Sequence, residues 1–494
     1  MSTTHDALHP AAAAGDHHEQ SRRGDRLAGQ TVLIVSYTFP PQYDVSARRA
    51  AKLCKHLPAT GWRPIVLTKD WALGAAAEDR RSYTITSHPE SLGALAGVEV
   101  VHAPYRTHDN ALRRLHRRLG GAYGDRQAPP SPAPAWTPRG LARRVLSVAA
   151  PVFGDFPDPF RGWIASAVDT GVDVVRRERV DVVCSLCPPA TAHVVASEIA
   201  RRTGVPWVAQ FDDLYSFHLE RQRPSWRWYS DVKHRSWMRR ATLAGAITPA
   251  MLDYVRRTYR VNGDVVMVGF DPDDDVSKEQ RPRAASRPSL RLAYTGSVYP
   301  GDQRPEIFFE GLEQVLARDV GLAGAIEVVF AGTGRDDELR ASLQALPLAR
   351  AACRFIERLA PSDTLRLQRE SDALVLFNCT APSPEEGTLS FPAKAFEYLH
   401  ASRPILAVPR DPGAWGDRLL ETTRAGVTAG SAAEVASVLG GWIDTWRKGG
   451  ELPYEGDATE IARYSQPRQA EVLARLLGRA ADSRGPKHSR TRPA

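Results

Sequence analysis

Short apolar runs alternate with helical repeats along this chain, twice over, and no other feature restricts its fold so strongly. Residues 31–36, TVLIVS, carry a continuous apolar run, the pattern of a strand buried on both faces. After the loop YTFPPQYDVS, the segment ARRAAKLCKHLP repeats Ala47, Ala50, Ala51, Cys54 and Leu57 at helical spacing. Gly61 ends that helix and Pro64–Thr68, PIVLT, makes the next strand. Strand, helix and strand in that order form a βαβ unit, whose two strands run parallel.

Val98–His102 adds a further strand, and the alternation then pauses. Residues 106–154 are rich in Arg, Pro and Gly, with APPSPAPAWTPRG at their centre, and read as an insertion with amphipathic pieces. Leu112, Leu115 and Leu119 against Arg113, Arg114, Arg117 and Arg118 would suit an anionic bilayer surface, as they would a solvated basic loop or a lid. Regular order resumes with VDVVCSL (180–186), the helix TAHVVASEIARRTG, the strand PWVAQF (206–211), AGAITP and DVVMVG. GFDPDDDVSKEQRPRAASRPS is polar and Pro-rich, a linker. The pattern restarts with LRLAYTG (290–296), a helix around IFFEGLEQVLARD, then IEVVFAGTG, CRFIERL, ALVLFNC and PILAVP. Two such halves predict an α/β chain of two doubly wound, Rossmann-like domains facing across a cleft. The expected divisions are a disordered tail at 1–29, a first domain at 30–270, the linker at 271–289 and a second domain at 290–462. A helix at 463–479 would pack back towards the first domain, and 480–494 would be a disordered basic tail.

Composition narrows the function. A hydrophobic share of 43% with 25% charged residues is globular, and no apolar run reaches the length of a membrane span. The first residues lack the apolar core of a secretory signal, so the expected location is the cytoplasm, with the inner membrane face as a peripheral station. Five cysteines at this length make no disulfide framework, and Cys184-x-x-Cys187 lacks a second ligand pair for zinc; buried thiols are expected. The net charge of +8 comes from Arg clusters such as Arg176-Arg177 and Arg239-Arg240. Nucleic acid, an acidic membrane and a nucleoside diphosphate all answer to such charge. The chain has no RNP, helix-turn-helix or zinc-finger pattern, so nucleic acid is not expected as a partner.

One helix carries unusual chemistry. In Ser390–Pro404, SFPAKAFEYLHASRP, Lys394 and Glu397 lie three residues apart on one face, and Pro392 suits a first turn. A surface ion pair would look the same and would contribute little. Free N–H groups at the helix start, with Lys394 beside them, would equally face a phosphate, and Glu397 would accept hydroxyl hydrogens.

The order and spacing of VLIVSYTFPP with its SARR helix, FPDPFRGWI, SLCPPATAH, VPWVAQFDDLY, RLAYTGSVY and FPAKAFEYLHASRPILAV resemble glycosyltransferase family 4, of the GT-B superfold. The likeness covers most of residues 30–478. It implies a retaining, metal-independent glycosyltransferase with no cofactor, moving a sugar from a UDP- or GDP-linked donor to a sugar, lipid-linked or small-molecule acceptor. Polysaccharide, glycolipid or other glycoconjugate biosynthesis would be its setting. Glu397 matches the second Glu of the family's E-x7-E pattern, the ribose ligand, whereas Leu389 stands where the first would be. Ala393 would present its backbone to the diphosphate and Lys394 a full charge.

Gly296 lets backbone approach a ligand, Ser297 can donate a hydrogen bond, and Arg304 matches by position a basic residue of the same loop. Asp212 and Asp213 close a strand whose carboxyl end would point into the crevice, with Asp213 the first candidate to orient or deprotonate the acceptor hydroxyl. Gln210 and Asp212 replace an Asp and an Arg of the family pattern. His193, Arg48 and Asp158 are the expected acceptor-side residues. A nucleotide-sugar epimerase of the same fold, or a binding or scaffold protein that has lost catalysis, are the alternatives. Asp271-Pro272-Asp273 fits a metal-binding Asp-x-Asp formally but falls in the linker.

Overall fold

The computed structural model describes residues 29–71, 86–87, 95, 97–106, 156–214, 224–274, 289–299, 303–318, 322, 324–379, 391–411 and 415–484. The first run, β1 (Gln30–Val35), opens a seven-stranded sheet. A short antiparallel pair, β2 (Gln42–Tyr43) and β4 (Thr86–Ser87), stands apart from it. The sheet's order is β5 (Glu99–Ala103), β3 (Trp62–Lys69), β1, β6 (Val182–Cys187), β7 (Trp207–Phe211), β8 (Leu243–Ala246) and β9 (Gly263–Val265). β1 pairs parallel with β3 on one side and with β6 on the other, Val32 standing opposite Pro64 and Val182.

The second sheet has six strands in the order β12 (Cys353–Ile356), β11 (Ile326–Ala331), β10 (Leu290–Thr295), β13 (Ala373–Phe377), β14 (Ile405–Val408) and β15 (Gly426–Thr428). All its pairings are parallel. The chain builds outward from β10 to β12, then returns to β13 on the other side. That reversal places a topological switch point between β10 and β13, where open α/β sheets leave a crevice outside their strand ends.

The strands read as apolar throughout because both faces are covered. Leu290, Leu292 and Tyr294 of β10 join one core with Phe308, Phe309 and Leu312 of helix Pro305–Ala317 and Leu439 of helix Ala432–Arg447. Ala293 of the same strand joins the opposite core with Phe396 and Leu399 of helix Lys394–Ala401 and Leu420 of helix Trp415–Thr423. Each fully buried Leu or Phe contributes about 1.5–3 kcal/mol of transfer free energy, so the alternation in the sequence fixes which helix lies on which face.

The chain divides into two compact units. One comprises Met1–Ser185, Pro189–Val208 and Ala474–Ala494; the other comprises Leu186–Pro188 and Ala209–Leu473. The final helix runs Gln466–Asp482, and near its start Gln469 accepts from Met267 N at 2.8 Å. Cys184 and Cys187, expected as buried thiols, are both buried in β6, and neither is in a disulfide. Apart from Arg106, the basic insertion at 106–154 lies outside the described residues, as do Leu389 and residues 275–288 of the linker. Among the described residues no helix is long and apolar enough to cross a membrane.

Candidate functional site

At the carboxyl end of β10 the chain turns through Gly296, whose φ of +84° lies in the left-handed region that side chains disfavour. Gly296 N donates to Ala331 O at 2.8 Å and Val298 N to Thr333 O at 3.0 Å, so this loop is fixed to the end of β11. The next turn along, at Gly332, has φ +67° and donates to Ile356 O at 3.0 Å. Successive strand ends therefore present their loops side by side.

Helix Lys394–Ala401 brings the charges to this edge. Its regular bonding begins at Lys394 with Ala393 as the preceding cap, two residues beyond Pro392, although Ala395 N still donates to Pro392 O at 3.0 Å. The Lys394 ammonium donates to Tyr294 OH at 2.6 Å and to Ser297 O at 3.0 Å. It lies 3.9 Å from the centroid of the Tyr294 ring, and a Cβ at Gly296 would sit 3.5 Å from it. Burial pushes the Lys394 pKa down to about 7, against an opposing pull from Glu397. These two hydrogen-bond partners are neutral, so an added anion would find a positive charge that neither one balances.

Glu397, one turn on, accepts from Gln368 Nε2 at 3.4 Å. The same nitrogen donates to Thr295 Oγ1 at 2.9 Å, and Thr295 N donates to the buried Tyr398 hydroxyl at 2.9 Å. Burial raises the Tyr398 phenol well above its ordinary range, which keeps it a neutral partner. On the loop side, Arg358 Nη2 approaches Ser297 Oγ at 3.5 Å. The edge thus offers a helix N-terminus, an ammonium, a hydroxyl and a nearby guanidinium to an anion, with a carboxylate a turn away for hydroxyl donors.

Of the residues singled out in the sequence, the structure gathers Gly296, Ser297, Lys394 and Glu397, with Ala393 adjoining Lys394. Arg304 is exposed at the N-cap position of helix Pro305–Ala317, where its side chain makes no capping hydrogen bond. Asp212 and Asp213 follow β7, and both their N–H groups point to Cys187 O, at 2.8 and 3.3 Å. Asp212 Oδ1 accepts from the buried Gln210 amide at 2.9 Å, while Asp213 Oδ1 accepts from Leu214 N at 2.7 Å. Gln210 also donates to Val266 O at 3.2 Å, and a Cβ at Gly245 would lie 1.9 Å from Gln210 Oε1, so a side chain at 245 would displace that amide.

His193 is wholly buried, its Nδ1 2.7 Å from Ser185 Oγ, which accepts from Trp207 Nε1 at 2.7 Å. That geometry joins helix Thr191–Thr203 to the sheet. Asp158 is buried too, accepting from Phe160 N at 2.9 Å, Thr191 N at 2.7 Å and Thr191 Oγ1 at 2.5 Å. Arg48 sits in the first turn of helix Val45–His56, its N–H donating to Asp44 O at 3.0 Å.

Sequence reasoning missed Arg358, Tyr294, Thr295, Gln368 and Tyr398. Arg358 had a signal, as a cation just past a strand's carboxyl end in an open sheet. Gln368 had a fainter one: it stands three residues after Leu365, on the side helix Pro361–Glu370 buries.

No known protein-family profile matches this sequence, and neither does any curated protein. Solved structures do match. Anabaena Alr3699/HepE in complex with UDP and glucose shares 15% identity over 92% of this chain and 98% of its own, at TM-score 0.50. The lipopolysaccharide outer core galactosyltransferase WaaB, in its apo form, shares 10% identity over 92% and 100%, at TM-score 0.50. At these identities the likeness is one of fold, and the fold class is GT-B: two parallel α/β sheets of Rossmann type.

Proposed function

We propose that this chain is a glycosyltransferase that moves a sugar from a nucleoside-diphosphate sugar to an acceptor hydroxyl. The observation that carries the reading is the meeting of Gly296, Ser297, Lys394 and Glu397 at the switch point of the second sheet, around an ammonium bonded to Tyr294 OH and Ser297 O. The diphosphate would lie against the backbone at Ala393–Lys394 and beside the Lys394 ammonium, with Arg358 and Arg304 as further cations. Glu397 would accept from the ribose hydroxyls. Asp213, with Asp212 beside it, is the residue we assign to orient the acceptor hydroxyl or take its proton. The UDP and glucose bound to HepE, and the galactosyl transfer in WaaB's name, support a nucleotide-sugar donor.

We read the reaction as that of family 4: retaining, by front-face displacement through an oxocarbenium-like state, with the departing phosphate next to the incoming oxygen. The helix N-terminus and Lys394 would stabilise the leaving diphosphate, so turnover should persist in chelator. The acceptor class is a saccharide, a lipid-linked sugar or a small molecule in glycoconjugate synthesis at the cytoplasmic side. A thermal-shift screen of UDP, GDP and their sugars tests the donor: a ligand bound only by the native state raises the unfolding midpoint with concentration. A flat response to every nucleoside diphosphate would remove the proposal.

A further inference from the structure

Helix Pro361–Glu370 buries two residues on its inner side, Leu365 and Gln368. An apolar side chain would satisfy packing at 368, yet the position holds an amide with no solvent exposure. Its Oε1 is buried with no hydrogen-bond partner, a desolvation cost that an apolar side chain would avoid. Such a group calls for an explanation in what its other end does. That other end, Nε2, bridges Thr295 Oγ1 at 2.9 Å and Glu397 Oε2 at 3.4 Å. Thr295 is the last residue of β10, directly before Gly296, and its own N–H is pinned by Tyr398 OH at 2.9 Å. One amide therefore connects the glycine loop to the carboxylate on helix Lys394–Ala401.

The chemistry of the bridge matters. A Lys or Arg at 368 would neutralise Glu397 and compete with any hydroxyl brought to it. A neutral N–H donor fixes one carboxylate oxygen from the inside and leaves the negative charge in place to accept from a ligand. We propose that Gln368 is the positioning residue of Glu397, holding it in register with the glycine loop so that it accepts from the vicinal ribose hydroxyls of the donor nucleotide. The inference rests on the donor-site reading above.

The test uses the full chain and four probes: UDP, GDP and their 2′,3′-dideoxy forms, titrated calorimetrically. The wild-type chain should prefer the ribonucleotide by about tenfold or more, the scale of hydrogen bonds to a charged group. Gln368→Met should bring that preference below about threefold, leave dideoxy affinity unchanged and not lower the unfolding midpoint. A merely structural role would lower that midpoint and affect both ligands alike. Gln368→Glu sets two carboxylates together, so its preference for the ribo over the dideoxy form, in which the Lys394 titration cancels, should be poor at pH 8 and recover towards pH 5 as the pair takes up a proton. An unchanged preference in Gln368→Met, equal loss for both ligand types, or a ribo/dideoxy preference in Gln368→Glu that does not change with pH overturns the inference. Wild-type binding of ribo and dideoxy forms alike overturns it while the donor site stands. Wild-type binding of neither removes the donor-site reading and this inference together.

Discussion

On the proposed reading, Lys394 sets the terms on which an anion enters the second sheet's carboxyl edge. Its pKa falls from 10.5 to about 7 because its ammonium is desolvated. Between those values the unfolded chain holds a proton that the folded chain has released, so stability rises with pH across that window. Below pH 7 the buried charge is fully unfavourable. Lys394→Met should therefore raise the unfolding free energy at pH 6 by about 1–3 kcal/mol, even after losing two hydrogen bonds. At pH 10 the gain should vanish. A bound diphosphate reverses the sign for ligand: it favours the ammonium, so binding at pH 8 takes up a proton, and affinity weakens as pH climbs from 7 to 9. Calorimetry in two buffers of different ionisation enthalpy reads the uptake directly, and identical heats in both would reject it. At this scale the i,i+3 pair of Lys394 and Glu397 was legible from spacing alone. Tyr294 and Gln368 were not, because their contacts with Lys394 and Glu397 join residues separated by 100 and 29 positions.

Helix starts elsewhere in the chain show how a motif residue acts through an element. Helix Thr191–Thr203 follows Ala190, which offers no capping side chain. Its first turn is instead capped from 33 residues away by Asp158 of FPDPF, which accepts from both Thr191 N and Thr191 Oγ1. The sequence marked Asp158 by its position in a family pattern; in the structure it ties the loop 156–160 to that helix start. Asp158→Ala leaves buried donors unanswered and should destabilise the chain by about 3 kcal/mol. The denaturant midpoint should fall with the m-value unchanged, and Asp158→Asn, which keeps one acceptor oxygen, should fall less. A loss under about 1 kcal/mol for the alanine variant would mean the latch carries little. The helix itself was legible, from the spacing of TAHVVASEIARRTG and the Gly204 that ends it in a left-handed conformation. Its capping was not, since local sequence holds no sign of a partner so distant.

For the molecule as a whole, the two sheets were legible because a parallel strand covered on both faces must be apolar along its length, as TVLIVS, ALVLF and ILAV are. Each sheet carries its own reversal of strand order, but the residues proposed for the donor gather at one of them, between β10 and β13. That asymmetry predicts where ligand protection will appear. With UDP or GDP at a hundredfold excess over its Kd, a site present only in the native state adds about 2.7 kcal/mol, or roughly a hundredfold slower exchange through opening of that site. Amide exchange should slow in β10, in loop 296–299, at the carboxyl end of helix Pro361–Glu370 and in helix Lys394–Ala401. β1, β3 and β5 lie in the other compact unit, so at low denaturant, where units open separately, their exchange should stay near the ligand-free rate. Protection appearing on β1, β3 and β5 while β10 and helix Lys394–Ala401 exchange as before would move the nucleotide to the first sheet. The assignment of Lys394 and Glu397 to it would then be lost.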